Sequence, residues 1–435
     1  MRLDHAATIA PLNPWEIRGW LLALPRMSRL LASFDHVSYR WYFASMSSSM
    51  TAMNVQQFVT GYMVFALTGS FALLGAFALA GGAPMLVFSP IGGVMADRVG
   101  QKKHLVIGCQ FLNAVNVTAV AVMIFADSIA VGHLLAAALI QGTLTSFQMP
   151  ARQALTSEVV DSANLTNALA LNMATSNASR LLMPGLAGWT LGLISAADGI
   201  EGTEWMFVVI AACYATGGVL TIPIRSRYAS NPSGTRLRDG YLDLVDGVRY
   251  VRSTPVIKQL LILNLVISAG TSTYFHLLAG FVDEVLDGSK TQLGVLTSMS
   301  GIGAFIGSMF VARVSDSRRG RLMIVTGLVA AVALVGFSLA ETVWLSALML
   351  VAVGAAQAGP MSLGNILLQA YSAPEFRGRI MALYVVEIGL TMSFSFAVGS
   401  LASVIGPQLA IGGTAAVLAI AMLWTLHRSD LVRLE

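Results

Sequence analysis

The stretch Gly93-Val-Met-Ala-Asp97-Arg98-Val-Gly100-Gln-Lys102-Lys103 stands between two apolar runs, 71–95 and 104–126. Each run is long enough to cross a bilayer, which takes roughly 20 mostly apolar residues. The charged stretch is then a turn at the membrane edge, broken by Gly100. Gly93 lets two helices approach. The Asp97 carboxylate can accept from a neighbouring helix N-terminus or pair with a cation, a contact made in one conformation and broken in another. Working outward, ten more runs follow the same rule, near 40–66, 132–150, 165–193, 204–224, 256–281, 291–313, 321–340, 343–370, 378–402 and 406–427. The longest interval, 225–255, divides the twelve into two sets of six.

Composition supports this reading. The 435 residues are 56% hydrophobic and 11% charged, with a mean hydropathy of +0.72. Soluble proteins carry about 25% charge, so a chain of soluble domains, a disordered chain and a nucleic-acid binder are all excluded. Cys109 and Cys213 lie in apolar runs and imply neither a disulfide framework nor a metal site.

Lysine and arginine set the orientation. With the N-terminus inside, only two of the 26 fall elsewhere: Lys290 is outside and Arg180 is within a span. Both termini are therefore expected in the cytoplasm. The apolar run Trp20–Leu24 is too short for a signal peptide and is stopped by Pro25. Residues 1–36 read as a cytoplasmic segment with a surface helix, 37–224 as a first six-helix bundle and 225–255 as a cytoplasmic linker. A second bundle, 256–427, and a tail, 428–435, complete the chain. Within the linker, Tyr241, Leu244, Val245, Val248 and Val251 recur at helical spacing. They predict an amphipathic helix ended by Pro255, with one face on the inner membrane surface.

The charged turn resembles the loop signature of the major facilitator superfamily, G-x-L-A-D-R-x-G-R-K. Met95 replaces the leucine and Gln101 the first basic residue. A degraded echo follows the eighth span, where Asp316 is the counterpart of Asp97 and Ser317 replaces the arginine. Pro374-Glu375-Phe-Arg377-Gly378-Arg379 looks like the P-E-x-R-G-R segment of the branch containing macrolide and siderophore exporters. The bent stretch Pro184-Gly185-Leu-Ala-Gly188 is similar to the antiporter signature of drug exporters, with Met183 and Ala187 where glycines are usual. The resemblance implies an all-α membrane protein of two pseudo-symmetric six-helix bundles in a bacterial-type inner membrane. It also implies alternating access and proton-coupled efflux of small organic molecules, drug-like or siderophore-like. Lys102, Asp316, Arg377 and Arg379 join Gly93, Asp97, Arg98 and Gly100 as gating-loop residues.

Two charges lie within spans. An arginine at mid-membrane costs roughly 2.5–3.5 kcal/mol, so Arg180 must face a cavity or a partner. It binds an anionic part of a substrate, couples to a proton-carrying acid, or pairs with helix-end carbonyls beside Pro184. Glu387 lies eight residues beyond Arg379, about 12 Å along a helix, and is the candidate proton carrier. Its alternative is an acid paired with Arg377 or reaching the inner surface. Asn54, Gln57, Asn177, His276, Gln357 and Asn365 are candidates for a polar substrate cavity. No P-loop, H-E-x-x-H or paired intramembrane aspartates occur, so energy comes from a gradient and catalysis is not expected. The expected partners are a small-molecule substrate, protons and the lipid bilayer, with no nucleic acid, cofactor or metal, and a single chain suffices. Uptake or facilitated diffusion on the same fold is the alternative, and a transport-dead scaffold a distant one.

Overall fold

A computed structural model describes residues 32–98, 102–161, 163–194, 200–225, 237–311, 319–373 and 376–428. A short 3-10 turn at Ala32–Asp35 precedes the first long helix. In the first half the helices are α1 (Val37–Thr68), α2 (Phe71–Arg98), α3 (Lys102–Phe125), α4 (Val131–Val159), α5 (Leu165–Ile194) and α6 (Thr203–Thr221). A linker helix follows, α7 (Leu237–Ser253). The second half holds α8 (Pro255–Glu284), α9 (Lys290–Val311), α10 (Arg319–Ser338), α11 (Val343–Tyr371), α12 (Arg377–Ile405) and α13 (Pro407–Arg428).

The regular structure is helical throughout the described residues, as the sequence implied. Among the described residues there are thirteen such helices, where the sequence implied twelve spans and a linker helix. Nine are apolar enough throughout to cross a membrane. Outside that set, besides α7, are α1, α4 and α5, which are 32, 29 and 30 residues long but carry many polar side chains. Those polar residues face other helices, as Ser45, Ser49 and Gln56 do on α1.

The expected span limits agree with the helices to within a few residues, except at α4. That helix runs nine residues past the expected end at 150, through Pro150 to Val159. A proline is tolerated inside a span where neighbours take up the freed carbonyl. Arg152, expected in a loop, is consequently a buried helical residue. The linker helix ends at Ser253, just ahead of Pro255 as expected, and Pro255 also opens α8 at its first turn, where its missing N–H costs nothing.

Packing repeats between the halves. In the first, α2 packs on α4, α3 on α4 and α6, and α1 on α5 and α6. In the second, α9 packs on α11, α10 on α11 and α13, and α8 on α12 and α13. The halves meet through α2 with α12 and through α5 with α9. This is the pattern of two structural repeats related by pseudo-symmetry.

Successive spans are antiparallel, so among the described residues Lys102, Lys103, Arg225, Lys258, Arg321 and Arg379 lie toward one end, and Glu201, Glu204, Asp283, Asp287 and Glu341, with Lys290, toward the other. The core differs between these ends. Near the acidic end one apolar cluster is continuous across both halves, with Phe65 and Phe71 against Leu278 and Phe281. Near the basic end there are two separate clusters, one around Tyr39, Val106 and Leu155 and one around Leu260, Met323 and Leu367. The halves are therefore sealed together at the acidic end and separately packed at the basic end.

Candidate functional site: the crevice between the halves

On α5, Leu182, Leu186, Trp189 and Leu193 are exposed and fall on one narrow face. Such a stripe is the lipid-facing side of a span. Arg180 lies about 160° round the helix from Leu182, by the 3.6-residue turn. It is exposed, shares its face with Met173 and Asn177, and lies within electrostatic reach of Tyr274 on α8. Arg180 thus points toward the other half, away from lipid. Asn177 is half-buried.

A small cavity between the halves is lined by Gln57, Phe58 and Tyr62 of α1, Phe275 and His276 of α8, and Thr297 of α9. Two candidate residues, Gln57 and His276, meet there from opposite halves. His276 Nδ1 is 3.2 Å from Ser395 Oγ on α12. The rest of the lining is mostly apolar, part aromatic (Phe58, Phe77, Phe275) and part aliphatic (Leu278, Leu293), suited to an apolar body with a few polar groups.

Other candidates hold helices together. Asn54 donates to the Met50 carbonyl at 2.8 Å and to Ser179 at 3.3 Å. Gln357 donates to the Thr271 carbonyl at 2.8 Å, joining α11 to α8. The side chain of Asn365 lies outside the described residues.

Glu387 is 6% exposed. Asn264 of α8 donates to its Oε1 at 2.5 Å. Its Oε2 is buried and, among the described residues, has no hydrogen-bond partner. The acid faces a neutral amide, where pairing with Arg377 or the membrane surface was the alternative.

The acidic end is closed by small residues. An added Cβ on Gly188 would lie 2.7 Å from the Lys290 carbonyl oxygen and 2.8 Å from Gly294 Cα. Gly185 similarly abuts Ser298 at 2.5 Å. Pro184 lies inside α5, and its carbonyl would be 2.8 Å from a Cβ on Gly294. The bend stretch is thus the seam between the halves. Lys290 lies over the Tyr62 ring at 5.5 Å, across the same seam. On the other seam, the Ala72 N–H donates to Ser403 Oγ at 2.8 Å.

The gating loops are described in part. Gly100 and Asp316 lie outside the described residues, as do the side chains of Asp97, Arg98 and Arg377. Gly93 does not make the expected close approach: an added Cβ there meets nothing within 4 Å. The approach is made by Gly92, whose Cα faces the Ser146 carbonyl of α4. One residue is about 100° of helix, enough to turn Gly93 off that contact. Lys102 is buried at the start of α3, its Nζ 2.5 Å from Glu158 at the end of α4. Arg379 lies 3.8 Å from Asp246 of the linker helix and over the Phe376 ring.

Sequence reading placed Asn264 only among the polar span residues able to bond across helices, did not single out Gly92, and did not pair Lys102 with Glu158. Asn264 had a legible signal: it lies nine residues into its helix as Glu387 lies ten into its own, and the two helices start at the same end.

The profile of the family described as "Transmembrane secretion effector" (MFS_3) matches residues 28–435. The chain belongs to this family. It is 24% identical to the staphyloferrin A transporter of Staphylococcus aureus (strain NCTC 8325 / PS 47) over 53% of this chain and 56% of that one. The chain thus spans little more than half the length of that relative. It is 26% identical to the multidrug efflux pump Tap of Mycolicibacterium fortuitum over 75% of this chain and 78% of Tap. It is 24% identical to the enterobactin exporter EntS of Escherichia coli O1:K1 / APEC over 85% of each. Among solved structures, the nucleoside transporter NupG matches with a TM-score of 0.70 at 14% identity, covering 90% of this chain and 100% of that one. A bacterial homologue of the human lysosomal transporter Spinster, solved in an inward-facing and unoccupied conformation, matches at 0.68 and 14%, covering 91% and 98%. The chain is a multi-pass membrane transporter of the major facilitator class.

Proposed function

We propose that the chain exports small organic molecules across a bacterial inner membrane in exchange for protons, by alternating access, with the basic end and both termini in the cytoplasm. The observation that carries the reading is the crevice itself. It lies between two repeats, Gln57 and His276 line it from opposite halves, and Arg180 of the first half lies within electrostatic reach of Tyr274 of the second. With the basic end inside, the end where the two halves are packed as separate apolar clusters faces the cytoplasm, the side from which an export substrate would load. The relatives' printed substrates, siderophores and drugs, set the classes to try. Arg180 supplies a cation for an anionic group, and the aromatic and aliphatic lining supplies an apolar surface.

Glu387 is the coupling carboxyl in this reading. It is an intramembrane acid whose described polar contact is a neutral amide, so its charge is held by no ion pair among the described residues. Such a group can exchange a proton as its surroundings alternate. The test uses purified protein in liposomes with an imposed pH gradient and a panel of drug-like dyes and siderophores. Transport of at least one compound should accelerate with the gradient. Glu387→Gln should abolish the acceleration while sparing binding. Gradient-independent movement by the unaltered protein would replace exchange with facilitated diffusion.

A further inference from the structure

We propose that Asn264 and Glu387 form a single proton-holding site, in which the amide positions the acid and completes its hydrogen bonds only when the proton is on. The proposal rests on the reading of Glu387 as the coupling carboxyl and adds a second residue and a mechanism to it.

The helices α8 and α12 run parallel from the basic end, and the two residues sit about 14–15 Å along them at helical rise. Asn264 Nδ2 donates to Glu387 Oε1 at 2.5 Å. On either side of that bond one acceptor is left over. Asn264 Oδ1 and Glu387 Oε2 are both buried, and among the described residues neither has a hydrogen-bond partner. Each partner of that bond thus keeps one buried acceptor that lacks a donor, and a single added proton can serve both. A proton on Oε2 is that donor. The acid O–H then bonds the amide carbonyl while the amide N–H bonds the acid carbonyl, and the pair closes into a ring. Turning the amide over does not remove the need. Its oxygen would then face Oε1 at the same short distance, a contact tolerable only with the acid proton between them.

The amide is held in place by a third helix. A Cβ added to Gly364 of α11 would lie 2.6 Å from Asn264 Oδ1, so the glycine lets the backbone of α11 press against the amide. Tyr384, one turn back on α12, interacts with both members of the pair. Among the described side chains, the titratable groups on elements packed against α12 are Asp246, Arg249, Tyr250 and Arg252 of α7, Lys258, Tyr274, His276, Asp283 and Glu284 of α8, Tyr371 of α11 and His427 of α13. Arg379 of α12 itself pairs with Asp246. Among the described groups, Tyr384 and Asn264 are those that interact with Glu387. The proton comes from water on the open side, converts the carboxylate to the acid at Oε2, and returns to water on the opposite side. No other bond forms or breaks.

The test needs no substrate. Infrared spectra of the full chain in liposomes are recorded against pH, and the band of the protonated carboxyl is assigned by its loss in Glu387→Gln. In Asn264→Leu the band should shift in frequency. Asn264→Ser keeps a donor and should fall between. Gly364→Ala crowds the amide without removing a polar group and should move the band in the same sense as Asn264→Leu. An unmoved band in folded Asn264→Leu overturns the pair; if that variant does not fold, an unmoved band in Asn264→Ser does so. A band that responds to Asn264 as described, with gradient-driven transport surviving in Glu387→Gln, would retain the pair and reject the coupling reading.

Discussion

Lys102 and Glu158 are each about 4% exposed, and their 2.5 Å contact joins the start of α3 to the end of α4. Breaking a buried pair leaves one charge uncompensated and costs about 3–5 kcal/mol, whereas replacing both partners with apolar residues is often neutral. Glu158→Gln should therefore lower thermal stability in detergent markedly, and adding Lys102→Met should recover most of the loss. Equal melting of the single and double variants would show that the pair carries no such strain. Arg180 makes the opposite case, since it is exposed and turned toward the other half. Arg180→Ala should leave melting nearly unchanged and weaken binding of anionic compounds about tenfold or more, read by titration of the purified protein. Arg180→Lys restores charge without the planar fork, so its degree of rescue separates charge from geometry. Arg180 and Glu387 were legible because a charge in an apolar run is conspicuous. The pairing of Lys102 with Glu158 was not, because Lys102 reads as a gating-loop cation beside Lys103 and Arg98, and burial against a residue 56 positions later leaves no trace in local sequence.

At the scale of elements, the seam between α5 and α9 is built from glycines facing each other's backbone. A side chain at Gly188 or Gly294 would have to occupy space already filled by the other helix. Gly188→Val should therefore force the seam apart and shift the population toward a state open at the acidic end. A cysteine placed at Thr291, which lies against Gly192, should then react faster with a membrane-impermeant thiol reagent. An unchanged rate would mean that the seam absorbs the bulk without opening. Helix limits were legible at nearly every span because apolar runs and short polar loops alternate. The exception, α4, failed for a local reason: Pro150 looks like a stop, and only its neighbours show that the helix continues. Likewise the bend at Pro184-Gly185 could be read as tight packing, but its partner helix lies about 110 residues away in the other half.

For the whole molecule, the open question is what keeps the basic end apart while the acidic end is sealed. The linker helix α7 packs against α2 of the first half and against α8 and α12 of the second. Tyr250 stacks flat on Phe376, with centroids 4.2 Å apart and planes 3° from parallel. Its hydroxyl also accepts from the Ala373 N–H at 3.2 Å. Gly247 lets α7 sit against the Arg379 side chain and Leu383, and Asp246 is the partner of Arg379. Val245 and Val248 stay exposed, so the packed face runs through Gly247 and Tyr250; the exposed valines remain available to the membrane surface. The periodicity of the linker showed that a helix forms but not which face would be used, because Gly247 carries no hydropathy signal. Packed on both α2 and α12, α7 is expected to act as a wedge that must move before the basic ends can meet. An aromatic stack is worth about 0.5–1.5 kcal/mol beyond its buried area, and 1.4 kcal/mol is about a tenfold change in a two-state ratio. Tyr250→Ala should therefore raise the ratio of the form closed at the basic end by up to about tenfold. Spin labels at His104 and Lys258, exposed residues at the basic ends of opposite halves, should report this as growth of a shorter-distance population. Tyr250→Phe keeps the stack and loses only the hydroxyl, so it should stay close to the unaltered protein. If the two variants gave the same distance distribution as the unaltered chain, α7 would be a connector that follows the halves rather than a wedge that holds them apart.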